Sequence, residues 1–361
     1  MRLATWLVTR LVAASVTTPR VAPRWALCFP EAISAAAMAN HSLELSAARV
    51  SGGMTMSSSG VSVSATASKT SRSRVPSPRV IWLMPRARRQ GRLFIRYTLN
   101  WLADMDAAGY FEAWRANAAR RGVAPDVVAE VARRHAVTPA SFHVLGRMAQ
   151  ITDPDGKSFF LLPRGTSGGD ARAAALCTYI LNAGTGYGGK GTQRTDFPPT
   201  PYSAAEVTRI TLRQQANRWS YTRDVRFVDR NGGRLVATPN GILMGLGGNW
   251  VQRQFCRRGG TTWGDIFMVN LGALSDPAAW LSRIVESGHA WYLGADGRPV
   301  ESVLDLDRVL HHEERHCRQW AAKGYAGMLA DYGRELVREY AFGAINRLEE
   351  DAGLADGGYR A

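Results

Sequence analysis

The sequence has few cysteines, and none of them has the spacing that a cysteine-based site requires. Among 361 residues there are four, placed without a C-x-x-C pair: Cys28, Cys177, Cys256 and Cys317. A disulfide framework and a thiolate zinc knuckle are therefore both disfavoured, and free thiols in a reducing compartment are the simpler expectation. We expect a cytoplasmic protein. Secretion is the alternative, because residues 1–16 combine arginines with apolar residues as a weak signal segment would.

Long apolar runs and N-terminal acidic residues are missing as well. No stretch reaches the 18 or so apolar residues that a transmembrane segment needs. Residues 1–96 contain 14 Lys and Arg but only two acids, whereas residues 97–361 contain 31 basic and 28 acidic residues. A nucleic-acid-binding domain needs its basic residues in the folded part, where they can meet phosphates. The near neutrality of residues 97–361 therefore argues against specific nucleic-acid binding.

Residues 1–90 have the composition of a disordered chain. They are rich in serine and arginine and poor in large apolar side chains, as in SGGMTMSSSGVSVSATASKTSRSRVPSPRV over residues 51–80. Such a segment cannot bury enough apolar surface to offset its conformational entropy. We predict a disordered basic extension, and the functional alternative is a tether for anionic surfaces.

The remaining chain shows three successive patterns. Residues 93–150 place apolar side chains mostly three to five positions apart, which predicts helices. The pattern of residues 151–300 predicts mainly strands. In residues 304–353 the apolar side chains recur again at helical spacing, which predicts helices. Two hairpin turns are predicted, at Asn231-Gly232-Gly233 and Asp296-Gly297. We therefore predict one α+β domain over residues 91–361, with N-terminal helices, a mainly antiparallel sheet and C-terminal helices.

A glycine-rich segment, GTGYGGKGT over residues 184–192, partly matches the phosphate-binding pattern G-x-x-x-x-G-K. The preceding ALCTYIL could be the required strand. However, Gly191 stands where a magnesium-binding Ser or Thr belongs, and the prolines of the following TQRTDFPPTP exclude the helix that would hold the phosphates. We interpret the segment as a flexible glycine loop, with a flap beside a substrate cleft as the alternative.

The most informative segment is His312-Glu313-Glu314-Arg315-His316, an H-E-x-x-H motif. Asp305 is a suitable helix N-cap, and no Pro or Gly follows before Gly324, so the motif is predicted to be helical. Histidines at i and i+4 project about 6 Å apart from one helix face and can bind one tetrahedral zinc ion. Glu313 is then placed to accept a proton from a zinc-bound water. His311 points about 100° away and is expected to take no part.

A catalytic zinc ion needs a third protein ligand. Glu335, Glu339, Glu349 and Glu350 all fall within one further predicted helix, or a pair of helices, over residues 325–351. Glu349 is four residues after Ile345, on the predicted apolar flank, where an unpaired carboxylate would be costly and a metal ion would remove the cost. We rank Glu349 first and Glu335 second.

These residues resemble a known family. HHEERHCRQW followed by AINRLEEDAGLADGGY is similar to zinc metallopeptidases of the gluzincin, or thermolysin-like, type, and to bacterial H-E-x-x-H proteins of unassigned activity with an N-x-x-E-x-x-A-G-L signature. The resemblance implies that His312, His316 and Glu349 bind zinc and that Glu313 is the general base. It also implies that TTWGDIFMVNLG and HAWYL belong to the sheet before the active helix, whose edge strand pairs with a peptide substrate.

Two charged residues occupy the x positions, which are usually uncharged in these peptidases. Glu314 is predicted to pair with Arg318 and Arg315 to lie in water, which together predict a half-exposed helix and a shallow site. The candidates for stabilising a developing oxyanion are Tyr325, Tyr332, Tyr340, His289 and Arg338.

We therefore expect a zinc-dependent peptidase that acts on a peptide or protein substrate. Two alternatives stay open: a zinc-stabilised binding module without turnover, and a tethering protein that uses the basic N-terminal extension. A tightly bound metal without exchangeable water would favour the binding module. Loss of affinity for anionic surfaces on removal of residues 1–90 would favour the tether.

Overall fold

The computed structural model describes residues 107–188, 195–248 and 260–359. The predicted disordered extension lies outside these ranges, as does the start of the helical region predicted from residue 93. Within them the chain forms helices and a mixed sheet, which confirms the predicted α+β class. No helix among the described residues is both long and apolar enough to cross a lipid bilayer.

Eight α-helices lie in the described ranges and are numbered in chain order. They are α1 (107–120), α2 (Pro125–Arg134), α3 (Gly168–Leu181), α4 (Ala204–Ala216), α5 (Val225–Arg230), α6 (Pro277–Ser287), α7 (Leu306–Phe342) and α8 (Arg347–Ala352). Asp305 is the N-cap residue of α7, and Gly324 interrupts that helix with φ 68° and ψ 171°. Both positions were predicted. The interruption at Gly324 follows from the residue itself, because only glycine adopts such a conformation readily, whereas the Asp305 side chain makes no capping hydrogen bond.

The main sheet has six strands in the described part of the chain. They are β1 (Ala149–Thr152), β2 (Ser158–Leu161), β3 (Arg234–Ala237), β4 (Leu243–Leu246), β5 (Gly260–Trp263) and β6 (Ile266–Val269). Their spatial order is β1-β2-β3-β4-β6-β5, and every neighbouring pair is antiparallel except β4 and β6. Among the described residues β5 is therefore the edge strand on the side of α7, which packs against it.

Apolar layers cover both faces of this sheet. Phe159 and Phe160, adjacent on β2, point to opposite faces and belong to two different apolar clusters. Helix α3 packs against β2 and β3, and α6 packs against β1, β3 and β4. Strands that are buried on both faces have continuous apolar sequences, such as ILMGL around β4 and IFMV in β6.

The predicted hairpin around Asn231-Gly232-Gly233 is wrong in its first arm. Residues Val225–Arg230 form helix α5 rather than a strand, while β3 follows as expected. A mixture of apolar and polar side chains over only six residues is also compatible with a short helix. The two buried residues of α5, Val225 and Val228, are three positions apart, which places them on one helix face. The turn itself is present, and Gly232 has φ 86°, a conformation that favours glycine.

The prediction of mainly strands over residues 151–300 is also wrong in part, because four helices, α3 to α6, lie there. Helix α3 buries most of its residues, so it has no polar face to reveal a helical period. Its capping residue was a usable signal, since the Ser167 side chain accepts from the Asp170 amide. Helix α6 likewise begins at Asp276-Pro277 and ends at Gly288 in the left-handed conformation.

Helix α3 contains ALCTYIL, so no strand precedes the glycine-rich segment. A phosphate-binding loop needs a strand before it and a helix after it. The expectation against nucleotide binding agrees with the observed helix. Residues 189–194 of the segment lie outside the described ranges, so the loop and flap predictions stay untested.

Two further strands form a separate small sheet. They are β7 (His289–Leu293) and β8 (Pro299–Asp305), which pair antiparallel across the predicted turn at Asp296-Gly297. The predicted hairpin is confirmed. However, HAWYL does not join the sheet that contains TTWGDIFMV, contrary to the implication of the family resemblance.

Candidate metal centre

The two motif histidines lie side by side on helix α7. His312 and His316 are 3% and 9% exposed, and their Nε2 atoms are 3.0 Å apart. This arrangement follows from the i, i+4 spacing, which sets both rings on one helix face. The convergence of the two Nε2 atoms is what the motif predicted.

Glu349 reaches the same point from helix α8. Its Oε2 atom is 3.2 Å from His316 Nε2 and 3.3 Å from His312 Nε2. The possible ligand atoms of these three residues all lie within 4.8 Å of one another. Two imidazole nitrogens and a carboxylate oxygen are a ligand set that can hold a metal ion.

Glu349 converges with the histidines, but the predicted apolar stripe through Ile345 does not place it there. Ile345, taken as part of an apolar stripe, is 61% exposed and precedes α8. Glu349 is placed instead by the start of α8, where the Asn346 side chain accepts from the Leu348 amide and Leu348 is buried. A short loop after α7 thus turns the carboxylate back toward the histidines.

The other glutamate candidates lie elsewhere or have other partners. Glu335 is buried, but it pairs with Arg338 and accepts from the Arg347 amide at 3.0 Å. Glu350 is exposed. Burial and the charge of Glu349 raise the pKa of Glu339 to about 7. None of the three belongs to the cluster of converging ligand atoms.

Hydrogen bonds on the far side of each ring fix which nitrogen carries the proton. His312 Nδ1 is 2.9 Å from the Gly353 carbonyl, which can only accept, so Nδ1 donates. His316 Nδ1 is 2.9 Å from Gln319 Oε1, and the Gln319 amide nitrogen donates to Leu348 O and Asp351 Oδ2. That orientation of the amide makes His316 Nδ1 a donor too.

When both rings are neutral, each Nε2 atom therefore carries an unprotonated lone pair. The two lone pairs face each other and the Glu349 carboxylate. Three acceptors at such distances repel one another unless a cation lies among them. Burial alone would lower the pKa of His316, but the charge of Glu349 opposes burial and the pKa is raised to about 9 overall. In turn, burial raises the pKa of Glu349, but His316 and His312 lower it well below its usual value. The site favours positive charge, and its three ligand atoms could hold a metal ion.

Glu313 contacts the sheet from its position beside the first histidine. Its Oε2 atom accepts a hydrogen bond of 2.5 Å from the Thr262 hydroxyl on β5. The Thr262 carbonyl accepts from Trp320 Nε1 at 3.0 Å, which ties the same strand to α7 one turn after His316. Burial raises the pKa of Glu313, and the neighbouring histidines partly offset this rise. Edge strand and motif helix are thus joined at the proposed base.

The opposite face of α7 departs from the prediction of a half-exposed helix. Glu314 is 3% exposed and forms ion pairs with Arg213, Arg209 and Arg318, the last of which was predicted. Arg315 is only partly exposed, and its Nε donates to Asp351 O at 2.7 Å. The error arose because these partners are far away in the sequence.

His311 takes no part in the ligand cluster, as expected from its rotation around the helix. Its ring stacks on Tyr187 with centroids 3.7 Å apart. Burial lowers its pKa to about 4, so the ring is neutral at pH 7.

Three candidates for oxyanion stabilisation, Tyr325, His289 and Arg338, have other contacts in the described structure. Tyr325 packs among Trp219, Trp263 and Trp320, and Tyr332 lies in the adjoining apolar cluster. His289 on β7 pairs with Glu301 at 2.9 Å, and Arg338 pairs with Glu335. The side chain of Tyr340 lies outside the described part of the structure.

Sequence reasoning missed one tyrosine. The Tyr359 hydroxyl donates to Glu349 Oε2 at 2.9 Å. Tyr359 follows two glycines and belongs to no helix or strand, so no periodic pattern marks it. Its only sequence signal is its place ten residues after the ligand candidate.

Comparison with known proteins does not assign this site. No family model matches it, and neither a curated protein nor a solved structure resembles it significantly.

Proposed function

We propose that this protein is a zinc-dependent peptidase. The observation that carries the proposal is the convergence of His312 Nε2, His316 Nε2 and Glu349 Oε2, with both rings held in the tautomer that directs a lone pair into the site. The H-E-x-x-H spacing and the sequence resemblance support the same chemistry.

Zinc is the metal that the donor set and the H-E-x-x-H spacing together favour. Two neutral imidazoles and one carboxylate are the protein ligands of many catalytic zinc sites, which keep a fourth position open. Calcium and magnesium prefer oxygen ligands alone. Three protein ligands with two nitrogen donors therefore favour a transition metal, and the H-E-x-x-H spacing favours zinc among these. Three ligands also favour a catalytic over a closed structural site.

When bound, zinc would polarise a carbonyl and lower the pKa of a coordinated water toward about 7. Glu313 would accept a proton from the attacking water. Because Thr262 holds Oε2, the other carboxylate oxygen, Oε1, is the one available for that proton. Glu313 would then deliver the proton to the leaving amine as the C–N bond breaks, so the peptide bond is replaced by a carboxylic acid and an amine.

The proposed substrate is an extended peptide that lies along β5. This strand has only β6 as a neighbour among the described strands, and its Thr262 contacts Glu313 directly. Pairing with an edge strand is a general way to bind an extended chain. A peptide in this position would pass close to the proposed base.

Metal analysis of the purified full-length chain tests the proposal first. We expect about one zinc per chain and hydrolysis of members of a diverse peptide library, lost with a chelator and restored by zinc.

Glu313→Gln tests the catalytic step separately from metal binding. We expect it to keep the zinc and the fold but to lose at least about 10²-fold in hydrolysis, because an amide cannot accept the proton. Glu350→Gln, at an exposed position, is the matched control and should change neither property. A wild-type chain that holds zinc but cleaves nothing would identify a zinc-stabilised binding module instead.

A further inference from the structure

The C-terminal turn, residues 353–359, contacts two of the three proposed ligands. The Gly353 carbonyl accepts from His312 Nδ1 at 2.9 Å, and the Tyr359 hydroxyl donates to Glu349 Oε2 at 2.9 Å. The turn thus contacts His312 at Nδ1, the nitrogen that faces away from the site. It contacts Glu349 at Oε2, the oxygen that faces the histidines. A single segment sets the direction of both.

A buried carboxylate within the turn holds it in place. Asp356 is fully buried, and its Oδ1 accepts from Arg308 Nε at 2.8 Å. Its Oδ2 accepts from the Tyr187 hydroxyl and from the Asp196 amide. The Asp196 carboxylate in turn accepts from the Asp356 amide at 2.8 Å. Arg308 lies one helical turn before His312 on α7, so this anchor connects the turn to the motif helix itself.

Close packing leaves the turn little freedom to shift. A Cβ atom at Gly357 would lie 2.6 Å from His312 Cε1, so the backbone touches the ligand ring. Gly353 has φ 99°, and a Cβ there would lie 2.7 Å from Asp196 Oδ2. Both glycines permit a backbone approach that no side chain would allow.

We propose that Tyr359 and Asp356 are positioning residues of the metal centre. Tyr359 fixes the carboxylate of Glu349, and Asp356 fixes the turn that carries both Tyr359 and the Gly353 carbonyl. The proposal rests on the proposed metal site but not on the peptidase reaction. Groups that orient metal ligands contribute about 10- to 100-fold to metal affinity.

Tyr359→Phe tests the first half of the proposal, because it removes only the hydroxyl and keeps the ring. We expect the zinc dissociation constant of the full chain, measured by competition with a chelator, to rise about 10-fold. The melting temperature of the metal-free protein should fall no further than that of the control variant Tyr202→Phe. Zinc affinity equal to that of the wild type would overturn the role of Tyr359.

Tyr202→Phe is the matched control for loss of a buried tyrosine hydroxyl. Its hydroxyl accepts from Trp114 Nε1 and touches no proposed ligand. We expect a lower melting temperature and an unchanged zinc dissociation constant. An equal loss of zinc affinity in both variants would mean that the effect is general destabilisation, and would contradict the proposal.

Asp356→Asn tests the anchor, and we expect it to weaken zinc binding by about 10-fold or more. The change also leaves Arg308 with a weaker partner, so Tyr187→Phe provides a milder variant that removes one hydrogen bond to Asp356 and keeps the ring. We expect a smaller rise in the zinc dissociation constant from Tyr187→Phe. Unchanged zinc affinity in Tyr187→Phe and in any folded Asp356→Asn would overturn the anchor.

These readouts separate this proposal from the peptidase proposal. A wild-type chain that binds zinc without hydrolysis would refute the peptidase, while the variants would still report on positioning. Normal hydrolysis together with wild-type zinc affinity in Tyr359→Phe and Asp356→Asn would refute positioning alone.

Discussion

Two faces of helix α7 present buried polar side chains, and they differ in what surrounds them. The ligand face contains His312 and His316, whose Nε2 atoms meet each other and Glu349. The ion-pair face contains Glu314, which meets three guanidinium groups. Burial alone therefore does not identify a site. The faces differ in the source of the positive charge, which is three arginines on the ion-pair face and a protonated His316 or a bound metal ion on the ligand face.

The ion-pair face is a satisfied network. Glu314 accepts from Arg209 and Arg318 at 2.9 and 2.6 Å, and also from Arg213. Arg213 has a second partner in Asp265, which is itself fully buried. Burial alone would raise the pKa of Glu314, but the three arginines together outweigh burial and lower the pKa to about 2. Such a network needs no ligand, and it holds α7 against α4.

The largest expected effect is loss of metal from variants of the ligand face. His316→Ala, His312→Ala and Glu349→Ala should each weaken zinc binding by more than about 10², because each removes a ligand rather than a group that orients one. The metal-free proteins should fold normally. Zinc affinity measured by chelator competition, with unfolding measured without metal, checks both parts.

Glu335→Ala and Glu350→Ala are the comparison variants, and both should keep wild-type zinc affinity. Glu335 already pairs with Arg338, and Glu350 is exposed. If Glu335→Ala proved the damaging change, the assignment of Glu349 would be wrong. Retention of stoichiometric zinc by both histidine variants would refute the metal site.

The next largest effect is expected on the opposite face and in a different property. Glu314→Gln should lower the free energy of unfolding by about 3 kcal/mol, because it leaves buried guanidinium charge poorly compensated. Zinc stoichiometry should stay at its wild-type value. Urea unfolding of the metal-free protein checks the first expectation. A variant with wild-type stability that had lost its zinc would reverse the distinction between the two faces.

The smallest effect concerns Cys177, which reports opening of the core. Burial raises the pKa of its thiol from 9.0 to about 12. As the pH rises, the Cys177 thiol therefore loses its proton at a lower pH in the unfolded chain than in the folded one. Its contribution to the free energy of unfolding is complete below pH 9 and is lost as the pH rises toward 12. Alkylation of Cys177 at pH 8, followed by peptide mass spectrometry, should be slow in the wild type.

Variants of the two faces should differ in this alkylation rate. Glu314→Gln should speed the reaction, since it increases the population of open molecules, whereas metal-free His316→Ala should react at the rate of the metal-free wild type. Equal acceleration in both variants would show that the ligand face also stabilises the core without metal.

Much of the ligand face was predictable because its geometry is local. The spacing of His312 and His316 on a helix sets their rings side by side whatever the surroundings. Asp305 and Gly324 mark the two ends of the first part of α7, and Gly324 does so through its own backbone preference. By contrast, Val225–Arg230 was assigned to a strand, because six alternating residues do not distinguish a short helix from a strand.

The sequence by itself determined the motif, its helix and the types of ligand available, since these depend on residues within one or two helical turns. Only the tertiary structure decided which glutamate meets the histidines, which nitrogen of each ring is free, and that Glu314 is buried among arginines. The Gly353 carbonyl that orients His312 comes 41 residues later, and Arg213 comes 101 residues before Glu314. Contacts over such separations arise from packing of whole elements, which no local pattern of side chains specifies.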